Sequence, residues 1–169
     1  MSQVKTKGLE LKLVKLENEA EDRWDRFVEE HPEGTFFHRA GWRRVIRNVF
    51  GYRDYHVYAE RDGEVVGVLP LIHIGKGLFG HRLVSTPFCV QGGPLVVSDE
   101  VREALDSYAG ELADRLGVDW LEFRGLRCIR EDWEVRDNVY CVFRRGITAS
   151  PEENLKLIPR KARAVVRKA

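Results

Sequence analysis

The 169-residue sequence is poor in cysteine, carries no long apolar run and has almost no net charge. Cys89, Cys128 and Cys141 are odd in number and form no CxxC pair, which argues against a disulfide framework and against a cysteine zinc site. The five histidines, His31, His38, His56, His73 and His81, are scattered without an HExxH or HxH spacing, so no metal is expected. No apolar stretch approaches the ~18 residues of a membrane span. Met1-Ser2-Gln3-Val4-Lys5 opens without an apolar leader, and the expectation is a cytoplasmic chain with no membrane span. With 28 Lys and Arg against 27 Asp and Glu the net charge is +1, which is not the strongly basic signature of a dedicated nucleic-acid binder.

What is present is the composition of a folding domain: 43% hydrophobic and 33% charged residues in a length suited to one core. Leu9 to Leu16 alternates apolar and polar residues like a half-buried strand. From near Asn18, Trp24, Phe27 and Val28 recur at helical spacing, and His31-Pro32-Glu33-Gly34 stops that helix. A second helix is predicted over 40–50. Its apolar face is Trp42, Val45, Ile46, Val49 and Phe50, and Arg43, Arg44, Arg47 and Asn48 lie opposite. Strands over 55–60 and 65–74 flank an Asp62-Gly63 turn, and extended segments are predicted over 83–90 and 95–97. A helix over 101–116 turns Leu105, Tyr108, Leu112 and Leu116 inward and ends at Gly117; strands over 118–124 and 139–143 follow. Ser150-Pro151-Glu152-Glu153 is a capping box, and Pro159 breaks the helix it starts. Interspersed helices and strands around an antiparallel hairpin predict a mixed α/β (α+β sheet) domain rather than a doubly wound parallel sheet.

Several segments invite chemistry. Gly75-Lys76-Gly77-Leu78-Phe79-Gly80 matches GxGxxG, but the extended sequence that follows, ending at Pro87, offers no helix N-terminus to a pyrophosphate, so it is read as a glycine-rich connection. Gly92 and Gly93, after Gln91, mark either a tight turn beside a buried cysteine or a pocket wall. Cys89 has the features of a small buried hydrophobe, and Glu122, alternating with Arg124, those of an ion pair. From Ser150 onward Lys156, Arg160, Lys161, Arg163, Arg167 and Lys168 face only Glu152 and Glu153, which suits either phosphate contact or a solvated helix face.

Trp24-Asp25-Arg26-Phe27 with His31-Pro32, Thr35 to Ile46, Gly67 to Leu71, Ser85 to Phe88 with Gly92-Gly93-Pro94, Leu121 to Arg124 and Ile158 to Lys168 follow one another in the order and spacing of a known family. Through them the chain resembles the N-terminal half of FemAB-type proteins of the GNAT-like acyltransferase class, closest to the branch associated with exosortase and exopolysaccharide systems. The resemblance implies a two-half fold, with residues 1–149 as the first GNAT-like half and 150–169 as a basic helical segment leading toward a second half that completes catalysis. It implies acyl or aminoacyl transfer to an amine, on a small-molecule or cell-envelope precursor such as a peptidoglycan or exopolysaccharide intermediate. The donor would be aminoacyl-tRNA or acyl-CoA acting as co-substrate, with no tightly bound cofactor. The acceptor would lie near Phe37, His38, Trp42, Arg44, Gln91, Gly92 and Gly93; Arg47, Lys161, Arg163 and Arg167 are the candidates for phosphate or RNA contact. In peptidoglycan-directed relatives a lysine four positions beyond the motif tryptophan serves phosphate, and here Ile46 stands there. A non-catalytic glycan- or protein-binding module and an RNA-binding module are the alternatives. Self-association through an uncovered half-to-half interface is a further expectation.

Overall fold

The Asp62-Gly63 turn sets the centre of the molecule. In the computed structural model, which describes residues 10–75, 80–125, 130–137 and 145–168, Asp62 and Gly63 take left-handed φ values of 55° and 82°. Such a turn matches the twist of a two-residue hairpin, here between β3 (Val57–Arg61) and β4 (Glu64–Leu69). β1 (Lys12–Lys15) pairs antiparallel with β3, and β7 (Leu95–Val96) with β4, so the first sheet runs β1-β3-β4-β7. The second sheet, in order, is β2 (Arg53–Asp54), β5 (Ile72–Ile74), β6 (Arg82–Val84) and β8 (Trp120–Glu122); only its β6–β8 pair is parallel. The fold class is mixed α/β, as the sequence predicts.

Alternation along the first sheet divides the core in two. Val57, Ala59 and Leu69 pack with Leu71, Leu83 and the inward residues Val101, Leu105, Ala109 and Leu112 of α3 (Asp99–Leu116). Tyr58, Val68 and Leu95 instead join Leu16, Ala40 and the buried Trp24 and Val28 of α1 (Glu21–Glu30). Gly67 lets α3 approach, since a Cβ there would stand 2.6 Å from Val101 Cγ1. The C-terminus of α3 follows the sequence, with Gly117 at φ 60° as its cap, whereas the helix starts two residues before the expected 101, where Ser98 Oγ accepts from Val101 N.

Four expectations need correction. The run 65–74 is not one strand: Pro70 lacks the donor a ladder needs, and the chain leaves the first sheet at Leu69 to enter the second at Ile72. The segment 83–90 is extended only to Val84 and then turns, with Thr86 at φ 48° and Phe88 at φ 67°. In α2 (Gly41–Phe50) the faces are partly exchanged: Arg43 is buried, whereas Val45, Val49 and Phe50 are exposed and only Ile46 of the expected apolar face is fully buried. Asn18–Ala20 is a short 3-10 turn before α1. The strand expected over 139–143, Cys128 and Cys141 lie outside the described residues. After Gly80 the described chain runs into β6 at Arg82 rather than into a helix, so the dinucleotide fingerprint lacks the helix N-terminus it needs.

The described residues fall into two compact units, divided between Trp133 and Glu134. In the second, Ser150 Oγ accepts from Glu153 N at 3.3 Å and opens α4 (Pro151–Leu157); Ile158 is extended, and α5 (Arg160–Val166) restarts after Pro159. Its cations Arg160, Lys161, Arg167 and Lys168 are exposed, as are Val165 and Val166. Among the described residues no helix is long and apolar enough to cross a membrane.

Candidate functional site

Three separate segments meet at the loop 85–93. The first comes from the short 3-10 turn Phe36–His38, where His38 is buried and its Nε2–H donates to Gly93 O at 3.1 Å. A carbonyl only accepts, so the other ring nitrogen, Nδ1, is the acceptor for the Thr35 hydroxyl at 2.8 Å. Burial lowers the His38 imidazole to about 4, only partly opposed by its bond to Gly93. The ring is neutral with both nitrogens occupied, so it positions the loop and is no general base. Trp24 Nε1 fixes the same turn by donating to His38 O at 2.7 Å.

The second contributor is the stretch after β8. Gly92 N and Gly93 N both donate to Arg124 O, at 2.9 and 3.2 Å, and Arg124 N donates to Ser85 Oγ at 2.8 Å. The Arg124 guanidinium bridges Glu122 Oε1 at 2.7 Å and Cys89 O at 2.8 Å, the ion pair the sequence suggests. Both glycines are required by space: a Cβ on Gly92 would fall 1.4 Å from Thr86 Oγ1, and one on Gly93 would lie 2.8 Å from Gly125 Cα. The glycine pair is therefore a tight turn and a pocket wall at once.

Third, Trp42 of α2 reaches the loop from the side. Its indole N–H is buried without a well-aligned acceptor and lies near Cys89, whose thiol burial pushes up to about 11 against weaker pulls from Arg124 and Trp42. A thiol so raised is a poor nucleophile at neutral pH. Phe37 and Phe36 pack edge-on around Trp42, with centroids 6.0 and 5.8 Å away.

Glu33, His38, Gln91, Gly92, Gly93, Arg102 and Arg124 line a cleft whose enclosed volume is about 20 Å³, room for about one water. Of the sequence candidates, His38, Gln91, Gly92 and Gly93 are thus brought together, and Phe37 and Trp42 stand behind the loop. Arg44 is elsewhere, paired with Glu21 on α1. Arg47 lines a wider groove with Lys15, Tyr52 and Arg53. Lys161, Arg163 and Arg167 belong to the second unit. Glu33 and Arg102 carry no motif and are found only through the fold. Asp106, one turn after Arg102 on α3, was also missed: it is buried, its Oδ1 has no hydrogen-bond partner, and burial raises its carboxyl against Arg102 and Arg130. Among the described residues no group of three His, Cys, Asp or Glu could hold a metal.

The fold is a mixed α/β fold built on two four-stranded sheets. Among solved structures the chain is similar to a transcriptional regulator from Bacillus halodurans C-125, at 11% identity and a TM-score of 0.50, over 75% of this chain and 99% of that one. It is similar to FemX at 23% identity and a TM-score of 0.45, over 62% of this chain, and spans only 24% of FemX. It is also similar to an aminoglycoside N-acetyltransferase, AAC(6')-Iy, solved in complex with CoA, at 13% identity and a TM-score of 0.46, over 70% of this chain and 78% of that one. No protein-family model and no curated protein matches the chain.

Proposed function

We propose that this chain is the acceptor-binding half of a FemAB-type N-acyltransferase, in which residues 1–149 form the first half and 150–169 lead toward a second. The observation that carries this reading is the convergence of three resemblance segments, Thr35–Ile46, Ser85–Pro94 and Leu121–Arg124, on one loop through the His38–Gly93 and Gly92–Arg124 hydrogen bonds. The chemistry of the cleft is not that of a complete catalytic centre. His38 has no free lone pair, Cys89 is held as a thiol, and the Gly92 and Gly93 N–H groups are already spent on Arg124, so the cleft has neither a nucleophile nor an open oxyanion hole. Aminolysis of an activated acyl group needs chiefly an oriented amine and a stabilised oxyanion, and a second half would supply the latter. The donor is aminoacyl-tRNA or acyl-CoA, and the acceptor is an amine on a cell-envelope or exopolysaccharide precursor. Ile46 is fully buried, so the phosphate contact found in peptidoglycan-directed relatives has no counterpart at that position. The exposed cations of α5 favour the tRNA donor.

Intact-mass detection of acyl transfer to amine acceptors, from aminoacyl-tRNA and from acyl-CoA, tests the reading on this chain and on the full reading frame that contains it. Transfer by the full frame is expected, weakened when Gly93→Val displaces the loop. No transfer from either donor class overturns it.

A further inference from the structure

In the second sheet the fold brings together two histidines that stand eight residues apart in the sequence. His73 lies on β5 and His81 just before β6, and the antiparallel register His73↔Leu83 makes them diagonal neighbours across the two strands. Such neighbours lie within reach of ring side chains. Here the rings meet, with centroids 5.5 Å apart and His81 Nδ1 3.4 Å from His73 Nε2. The backbone under each ring is fixed. His81 N donates to Asp119 Oδ2 at 2.6 Å and His81 O accepts from Asp119 N at 2.6 Å, while His73 is paired on both sides, with Arg53 of β2 and Leu83 of β6. Tyr55 packs edge-on against His73, at 6.4 Å between centroids. Gly75 leaves the space that the His81 ring occupies, since a Cβ there would lie 3.0 Å from Nδ1.

The separation of the two nitrogens decides what the pair can hold. Two imidazoles on a tetrahedral ion, each with a metal–nitrogen bond of about 2.0–2.1 Å, place their nitrogens about 3.4 Å apart. An ion between His73 Nε2 and His81 Nδ1 therefore asks for small ring rotations and for no movement of either strand. A neutral imidazole ligates through the nitrogen that carries no proton. Among the described residues His73 Nδ1 and His81 Nε2 make no hydrogen bond, so each can carry its ring's proton and leave the facing nitrogens as lone pairs. Arg53, opposite His73 in the register, disfavours any cation at this end of the sheet, and the Asp119 carboxylate bonded to the His81 backbone opposes it. A hard ion such as Mg²⁺ or Ca²⁺, which needs several oxygen ligands, finds none directed by this pair. Imidazole suits the later first-row ions, whose affinity rises toward copper.

We propose that His73 and His81 form a two-imidazole site for a late first-row divalent cation, of the class of Zn²⁺ and Cu²⁺, which clips β5 to β6 and completes its coordination with water. The proposal does not rest on the acyltransferase reading, and its test reads metal binding alone. The full chain, stripped with a chelator, is titrated near neutral pH with Zn²⁺ by calorimetry and with Cu²⁺ by electron paramagnetic resonance. One Zn²⁺ per chain is expected, with a rise in melting temperature that Mg²⁺ does not produce. The Cu²⁺ spectrum of the unaltered chain should carry the signature of two imidazole nitrogens, a readout that needs no variant. His73→Gln and His81→Gln should each weaken Zn²⁺ binding at least about tenfold. His31→Gln removes a half-buried imidazole outside the pair and should leave binding unchanged. Metal-free melts report whether each variant folds. Failure to bind Zn²⁺, equal binding by the parent chain and both pair variants, or a Cu²⁺ spectrum with fewer than two imidazole nitrogens would each overturn the proposal.

Discussion

Helices α2 and α3 carry similar sequence signals and end in opposite situations. On α3 the apolar positions mark the buried stripe: Leu105 and Leu112 face the sheet, Tyr108 and Leu116 pack at its margin, and both caps lie where Ser98 and Gly117 place them. On α2 an equally regular apolar stripe faces outward for half its length, and the most buried polar side chain is an arginine. The Arg43 guanidinium donates to Glu21 Oε1 at 2.8 Å, Asn18 Oδ1 at 2.6 Å, Leu16 O at 2.9 Å and Asp54 Oδ2 at 3.3 Å. Burial opposes the charge of Glu21, yet hydrogen bonds from Arg43 and Arg44 hold its carboxyl below the usual range. Hydrophobic periodicity reports what a helix has to offer. The partner decides which side is accepted, and for α2 the partner is a ring of carboxylates and carbonyls.

If that cage rather than apolar burial seats α2, its removal should cost most. Arg43→Ala leaves the largely buried Glu21 and Asp54 without their central cation and is expected to destabilise the fold by about 3–5 kcal/mol in urea unfolding. A cost below ~1 kcal/mol would mean that the exposed stripe, covered by something else, seats the helix instead.

Acid should act on the same side of the molecule. His56 is buried under Trp24 at 5.4 Å, and burial, opposed by Asp54, lowers it to about 4, the value also reached by His38. Both are proton-poor in the fold and ordinary when unfolded. Their contribution is therefore complete above about pH 6.5 and is lost as pH falls toward 4, by roughly 3 kcal/mol for each ring. Thermal melts stepped through that window should show a fall that His56→Gln makes shallower. A flat profile would show that water reaches the ring.

The smallest effect sharpens the comparison from the other side. Val49→Ser, at a position the periodicity places in the core, should change stability by no more than about 0.5 kcal/mol. A loss of 2 kcal/mol or more, typical of a core truncation, would restore the expected orientation of α2.

Legibility followed locality. The Asp62-Gly63 hairpin, the Gly117 cap of α3 and the box at Ser150 are short-range devices, and each forms where its residues stand. The break at Pro70 was visible as a proline, yet its meaning, a change of sheet, depends on Tyr55 and Val84 far along the chain. Within the site, Gly92 and Gly93 announced a constraint but not which backbone pressed on them. Arg102 and Glu33 carried no signal, because a side chain lining a cleft from a helix or a turn looks like any solvated charge.

The passage from Leu69 through Pro70 and Leu71 to Ile72 has a kinetic consequence. These four residues are buried, Tyr55 N donates to Leu71 O at 2.8 Å, and the His56 ring bonds the same carbonyl at 3.2 Å. One continuous piece of chain thus ends the hairpin of one sheet and begins that of the other, with no slack between them. Neither sheet can open without drawing on the other, so amide exchange in β4 and β5 should proceed through a single shared opening, and the two sheets should form in one cooperative step.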